Sequence, residues 1–244
     1  MRRRFIAERM QDKNYCKAVF SVSIPSIPVL LYGDYFDSSQ LIQIKIDGNK
    51  HNINQNSLFL SKGDHTIEYW FNNFVNGDYF ICESGAHVDI VEFNVDTSNT
   101  TSMKEMFCGI ASIVNLDHLD ISNVTSMEGM FSYSKITESP FSKLQDTLHE
   151  SCYKSMFYQC SSLINAPELP AATLVSNCYD SMFEGCNKLN YIKAKFITTP
   201  SHNYTNGWVY NVSPTGTFVK NPEATWDVVG SNGVPRGWTV KFDG

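Results

Sequence analysis

The sequence has no apolar run long enough to cross a membrane. A spanning helix needs roughly 20 apolar residues, whereas the most apolar stretch, residues 24–32, is short and contains two prolines. The N-terminal arginine cluster precedes only three apolar residues, 5–7, which is not the pattern of a signal peptide. We therefore expect no membrane insertion and no signal peptide in the chain as given.

Positive charge is also scarce. The 244 residues include 19 Lys and Arg against 25 Asp and Glu, which gives a net charge of -6 at pH 7. Such a balance offers no broad basic surface for nucleic acid or anionic lipid, so we expect no nucleic-acid partner. The hydrophobic fraction of 42% is sufficient for a folded core.

The motifs of common catalytic and cofactor sites are missing as well. The sequence contains no Gly-x-Ser-x-Gly elbow, phosphate-binding glycine loop or His-Glu-x-x-His pair. Six histidines stand at unrelated positions: His51, His65, His87, His118, His149 and His202. We expect a non-enzymatic protein with no catalytic residue, no cofactor and no metal.

The seven cysteines are an odd number in a chain too long to need a disulfide scaffold. Cys152 and Cys160 are 8 residues apart, and Cys178 and Cys186 follow them at an interval of 26, whereas zinc ligands usually come in pairs about two to four residues apart. We predict that these four pack in the core as small hydrophobic groups. In an oxidising compartment, a disulfide between successive repeats is the alternative.

The strongest signal is a repeated Met-Phe dipeptide. It occurs at intervals of 24, 26 and 26 residues: Met106-Phe107, Met130-Phe131, Met156-Phe157 and Met182-Phe183. Leucine-rich repeats have periods of roughly 20 to 29 residues, and each coil contributes a short strand and a helical or turn segment. We therefore predict a solenoid of about four coils, with equivalent side chains stacked in one core.

The remaining sequence divides around these repeats. Alternating apolar residues such as Ala18, Phe20 and Val22, and again Ile42, Ile44 and Ile46, predict a small antiparallel β domain. The predicted fold class is thus mixed β plus a leucine-rich-repeat solenoid. Its segments are an N-terminal segment, a β-sandwich-like domain, the solenoid and a Trp-, Gly- and Pro-rich C-terminal cap, at residues 1–14, 15–86, 87–196 and 197–244.

Two segments resemble known families. The stretches LDISNVTSMEGMFSYS, from Leu119, and SMFYQCSSLINAPELPAATL, from Ser155, resemble the BspA-like surface leucine-rich repeats of gut Bacteroidetes and their phages. IDGNKHNINQNSLFLSKGDHTIEYW, from Ile46, more weakly resembles the PEGA-type β module of surface proteins. Members of the BspA-like family are generally non-catalytic, and some are adhesins, so the resemblance implies recognition of a protein or glycan.

Two functions follow as hypotheses. The first is a non-catalytic recognition or adhesion protein at a cell surface, with a protein or glycan partner. The alternative is a structural component of a bacteriophage virion, a capsid- or tail-associated decoration or fibre protein, which would form a homo-oligomer or dock on the particle. Tyr133, Tyr158 and Glu184 follow Met-Phe and are candidates for an exposed face. An isolated exposed tyrosine is more often incidental, so the binding site stays unassigned.

Overall fold

The structure is a computed structural model that describes residues 14–25, 27–82 and 87–244. Its strands are β1 Tyr15–Val22, β2 Val29–Leu30, β3 Leu41–Ile46, β4 Asn49–His51, β5 Ser57–Leu58, β6 Gly63–Phe71, β7 Val88–Val95, β8 Ser112–Ile113, β9 Tyr191–Ala194, β10 Thr217–Lys220 and β11 Thr239–Phe242. A 3-10 helix covers Ser38–Gln40, and a single α-helix, α1, covers His202–Thr205 in the described residues. Among these residues no helix is both long and apolar enough to span a bilayer.

The N-terminal part is a six-stranded sheet in the order β4-β3-β6-β1-β7-β8. The central strand β1 is antiparallel to both neighbours, and Ala18 lies opposite Ile67 on one side and Phe93 on the other. Alternation places Ala18 on the buried face. Ile42 is exposed instead, because the β3–β6 register shifts by one residue between Leu41 and Gln43. The short parallel strand β8 joins this sheet to the Met-Phe segments.

Successive Met-Phe segments are held together by backbone hydrogen bonds. In each segment the Phe amide donates to the carbonyl oxygen of the residue one repeat ahead: Phe107 to Met130, Phe131 to Met156 and Phe157 to Met182, each at 2.9 Å, and Phe183 to Trp208 at 2.8 Å. Rings of the same four phenylalanines are stacked, with centroids 5.9, 5.4 and 5.6 Å apart. The spacing read from the sequence therefore reflects the register of these segments.

The predicted leucine-rich-repeat solenoid is wrong. In the described residues the regular secondary structure is almost entirely β-strand, arranged in sheets of six, three and two strands, with almost no helix. Each Met-Phe segment is a run of turns, without the short strand predicted for a leucine-rich-repeat coil. The physical reason is a left-handed residue directly before each Met, such as Glu105 (φ 49°), Ser155 (φ 55°) and Ser181 (φ 52°), because this conformation interrupts a strand and a helix alike.

The C-terminal part is a parallel three-stranded sheet in the order β11-β10-β9. Three tryptophans are buried around it: Trp208, Trp226 and Trp238. Trp226 stacks on Phe196 with centroids 5.2 Å apart, and the indole of Trp208 donates to the Gly233 carbonyl oxygen at 3.0 Å. The apolar core continues from β1 to these tryptophans. The four segment boundaries drawn from the sequence stay a prediction.

Candidate binding cleft

An open cleft of 710 Å³ lies between the N-terminal sheet region and the exposed side of the first Met-Phe segments. We call it the tyrosine cleft and define it by six of its lining residues: Tyr35, Glu105, Cys108, Glu128, Tyr133 and Tyr158. Its volume lies within the range of roughly 300 to 1,000 Å³ that is typical of ligand pockets. Since Tyr35 comes from the N-terminal region and the other five from the repeats, both parts of the chain build it.

Left-handed residues present two cleft side chains on the same side of the repeats. The first set stands just before Met, at Glu105, Gly129, Ser155 and Ser181, and the second stands three residues after it, at Gly109, Tyr133, Gln159 and Gly185. Non-glycine residues adopt this conformation at a cost of roughly 1–2 kcal/mol. Tyr133 (φ 61°) and Glu105 (φ 49°) therefore reach the cleft from left-handed backbone. The same conformation recurs at the equivalent position of each hydrogen-bonded segment.

Exposed aromatic rings line the cleft. Tyr133 is 63% exposed and Tyr35 is 82% exposed. The rings of Tyr133 and Tyr158 meet edge to face, with centroids 5.4 Å apart, and Tyr35 packs against Tyr79 at 5.4 Å. Such pairs contribute roughly 0.5–1.5 kcal/mol beyond their burial, so each pair favours the orientation in which these rings border the cleft.

Carboxylates lie beside these rings. Burial raises the pKa of the Glu105 carboxyl above its usual value; Lys104 opposes the increase, and Glu128 adds to it. The Glu128 carboxylate forms an ion pair with the Lys104 ammonium group at 3.2 Å. Glu105 Oε1 accepts a hydrogen bond from the Tyr79 hydroxyl group at 3.4 Å, and its other carboxylate oxygen can accept from a ligand in the cleft.

A disulfide between Cys82 and Cys108 forms part of the cleft wall. Glu105 lies next to it, with a carboxylate oxygen and both sulfur atoms within 4.8 Å of one another. With the sulfurs joined in a disulfide, no thiolate is available as a metal ligand. The disulfide is therefore a structural bridge between neighbouring repeats, and its two cysteines are 26 residues apart.

The other repeat cysteines lie in the core. Cys152, Cys160, Cys178 and Cys186 are free and buried. Burial raises the pKa of the Cys160 thiol to about 12, and this thiol donates to the Phe131 carbonyl oxygen at 2.9 Å. Their predicted role in core packing is confirmed. The alternative of a disulfide between repeats is wrong for these four, although such a bond occurs at Cys82–Cys108.

Two of the three candidate face residues come together. Tyr133 and Tyr158 line the cleft, whereas Glu184 is not among the lining residues. The histidines are dispersed among separate local contacts: His51 with the Gln55 carbonyl oxygen, His65 with Asp47, His118 with the Phe93 carbonyl oxygen and His202 with Asn206.

Sequence reasoning missed Tyr35, Glu105 and the disulfide. The sequence does contain a signal for the disulfide, because Phe80-Ile81-Cys82 precedes Met106-Phe107-Cys108 by 26 residues. In the structure the Ile81 amide donates a hydrogen bond to the Met106 carbonyl oxygen at 2.8 Å. Nothing in the sequence indicated Tyr35, which comes from a segment outside the repeat pattern.

Comparison with known proteins gives one family match. Residues 80–196 match the family described as "Mycoplasma protein of unknown function, DUF285". This range contains the Met-Phe segments and most of the cleft residues, and the family description assigns no activity. No curated protein and no solved structure gives a significant match to the chain.

Proposed function

We propose that this chain is a non-catalytic recognition or adhesion protein that binds a protein or glycan at a cell or particle surface through the tyrosine cleft. The observation that carries the proposal is the placement of exposed tyrosine rings beside the Glu105 carboxylate. Tyrosine is enriched in recognition surfaces because it combines a large contact area with a hydroxyl group and few rotatable bonds. The resemblance to BspA-like surface proteins is in keeping with this role.

Two further features support a binding role. The repeat register holds Tyr133 and Tyr158 on hydrogen-bonded backbone: the Tyr133 amide donates to the Tyr158 carbonyl oxygen at 2.8 Å. Little ordering of the backbone is therefore required when a ligand binds. The Cys82–Cys108 disulfide is of the kind that persists in oxidising environments such as cell and virion surfaces.

The experiment is a binding array that carries purified matrix proteins and oligosaccharides, probed with the full chain. A Tyr133→Ala, Glu105→Gln double variant tests the cleft. Tyr210→Ala is the matched control, because Tyr210 is 61% exposed against 63% for Tyr133 and lies outside the cleft. We expect the double variant to lose the signal that wild type and control share.

Two results would overturn the proposal. One is an array on which no ligand of either class distinguishes the double variant from the control. The other is mass-spectrometric detection of a cleaved or chemically altered ligand after incubation with the wild-type chain, because a binding protein releases its ligand intact.

A further inference from the structure

The lining of the tyrosine cleft favours one class of ligand over the other. Three tyrosine rings line it, those of Tyr35, Tyr133 and Tyr158, and Leu30 is the single aliphatic side chain among the lining residues that the structure describes. A peptide ligand is usually anchored by an apolar side chain that fills a desolvated pocket. Flat aromatic faces in an open cleft suit a ligand that is itself a flat ring.

Small residues also line the cleft. Gly109, Gly129, Ser132 and Ser155 all line the cleft. Their short side chains leave room above the backbone, and at Gly129 the Glu105 side chain occupies it, since a β-carbon there would lie 2.8 Å from Glu105 Cγ. The hydroxyl group of Ser155, which is half-buried, also adds a donor and an acceptor. A ligand that meets this surface needs hydroxyl groups along its edge and an apolar face over the tyrosines.

The charges of the cleft restrict the ligand further. Asp34, Glu105 and Glu128 line it against one lining lysine, Lys135. Glu128 is in part neutralised by its ion pair with Lys104. Asp34 accepts one hydrogen bond from Asn56 and Glu105 one from Tyr79, so each carboxylate keeps a second oxygen for a ligand. Carboxylates accept hydrogen bonds from hydroxyl pairs and repel anions.

We infer that the tyrosine cleft is a carbohydrate site that binds neutral oligosaccharides, with one sugar ring stacked on Tyr133 and its hydroxyl groups bonded to Glu105. This inference rests on the proposed recognition function and specifies its ligand class. Stacking uses the apolar C–H face of the sugar, which matches the electron-rich face of the tyrosine ring. The carboxylates of Asp34 and Glu105 repel the negative charge of sulfated and sialylated sugars, so we expect these sugars not to bind.

The test is isothermal titration calorimetry of the full chain with neutral trisaccharides of glucose, N-acetylglucosamine, galactose and mannose, and with one sulfated and one sialylated trisaccharide. We expect binding of at least one neutral sugar and of neither anionic one. Tyr133→Ala should weaken that binding about tenfold or more, and Glu105→Gln should weaken it less. Tyr210→Ala should leave it unchanged.

Three other results separate the two proposals. Neutral sugars that bind equally well to wild type and Tyr133→Ala would overturn the assignment of the cleft as the sugar site. Failure of every neutral sugar at millimolar concentration, together with cleft-dependent binding of a deglycosylated matrix protein, would overturn the carbohydrate inference and leave the recognition function intact. The absence of any cleft-dependent ligand would overturn both.

Discussion

At the scale of single residues, the pair of His65 and Asp47 links the stability of the N-terminal sheet to pH. Both nitrogens of the His65 ring are hydrogen-bonded. Nδ1 contacts the Asp47 carboxylate at 2.8 Å, and Nε2 contacts the Ser61 carbonyl oxygen at 2.9 Å. Burial alone would lower the pKa of His65, but these hydrogen bonds and the nearby negative charge raise it overall. The charged imidazole can donate to both acceptors, whereas the neutral ring can donate to only one.

We predict from this pair that the free energy of unfolding falls as pH rises above the ordinary histidine pKa of about 6.5. Because the pKa of His65 is raised in the folded state, its contribution is fully present below the unfolded value and is lost as pH rises through the folded value. Urea titrations between about pH 5 and pH 9 should show this slope in wild type. His65→Gln should flatten it.

The partner variant gives the control for this prediction. Asp47→Asn removes the carboxylate that favours the charged ring, so it should flatten the same slope, and the double variant should add nothing further. A slope that persists in His65→Gln would assign the pH dependence to another group.

At the scale of the structural element, the left-handed positions before each Met decide the shape of the Met-Phe segment. Gly129 occupies one of them, with φ 63°, and a β-carbon added there would lie 2.8 Å from Cγ of Glu105. Ser155 occupies the equivalent position of the next segment, with φ 55°, and already has a β-carbon. Substitution by alanine therefore adds a β-carbon at position 129 but not at position 155. The difference in stability between the two variants gives the cost of that β-carbon.

We predict that Gly129→Ala lowers the free energy of unfolding by roughly 1–2 kcal/mol, because alanine resists the left-handed conformation that glycine adopts freely. Ser155→Ala is the matched control and should change stability by less than about 0.5 kcal/mol, since it introduces no new β-carbon. Chemical denaturation of both variants measures the difference. Equal effects at the two positions would show that the backbone conformation does not determine the cost.

The same positions show how far the sequence predicts this fold. Alternation in Ala18 and Phe20 was enough to locate β1, and the Met-Phe intervals fixed which residues of successive segments are neighbours. The residue types give no sign of left-handed backbone at Glu105 or Ser155, which is why the pattern predicts a short strand and a helical or turn segment in each coil, whereas only turns occur. The cleft could be found only in part, because Tyr35 approaches it through tertiary packing that leaves no periodic signal.

At the scale of the whole molecule, one covalent bond joins neighbouring segments beside the cleft. Cys82 precedes the repeats found in the sequence, and Cys108 follows the first Met-Phe dipeptide. The bond closes a loop across β7, since Val88–Val95 lies between the two cysteines. It therefore links the end of the N-terminal region to the repeat array, and both contribute to the tyrosine cleft.

We predict that loss of this bond destabilises the whole chain by about 3 kcal/mol, because a cross-link of this separation restricts the unfolded state. The Cys82→Ser, Cys108→Ser double variant should have a lower midpoint of thermal unfolding than wild type. Wild type treated with a dithiol reductant should match the variant, since the other five cysteines are free in the folded state. Thiol titration of the denatured chain should give five thiols before reduction and seven after it, and seven thiols before reduction would contradict the assignment of the bond.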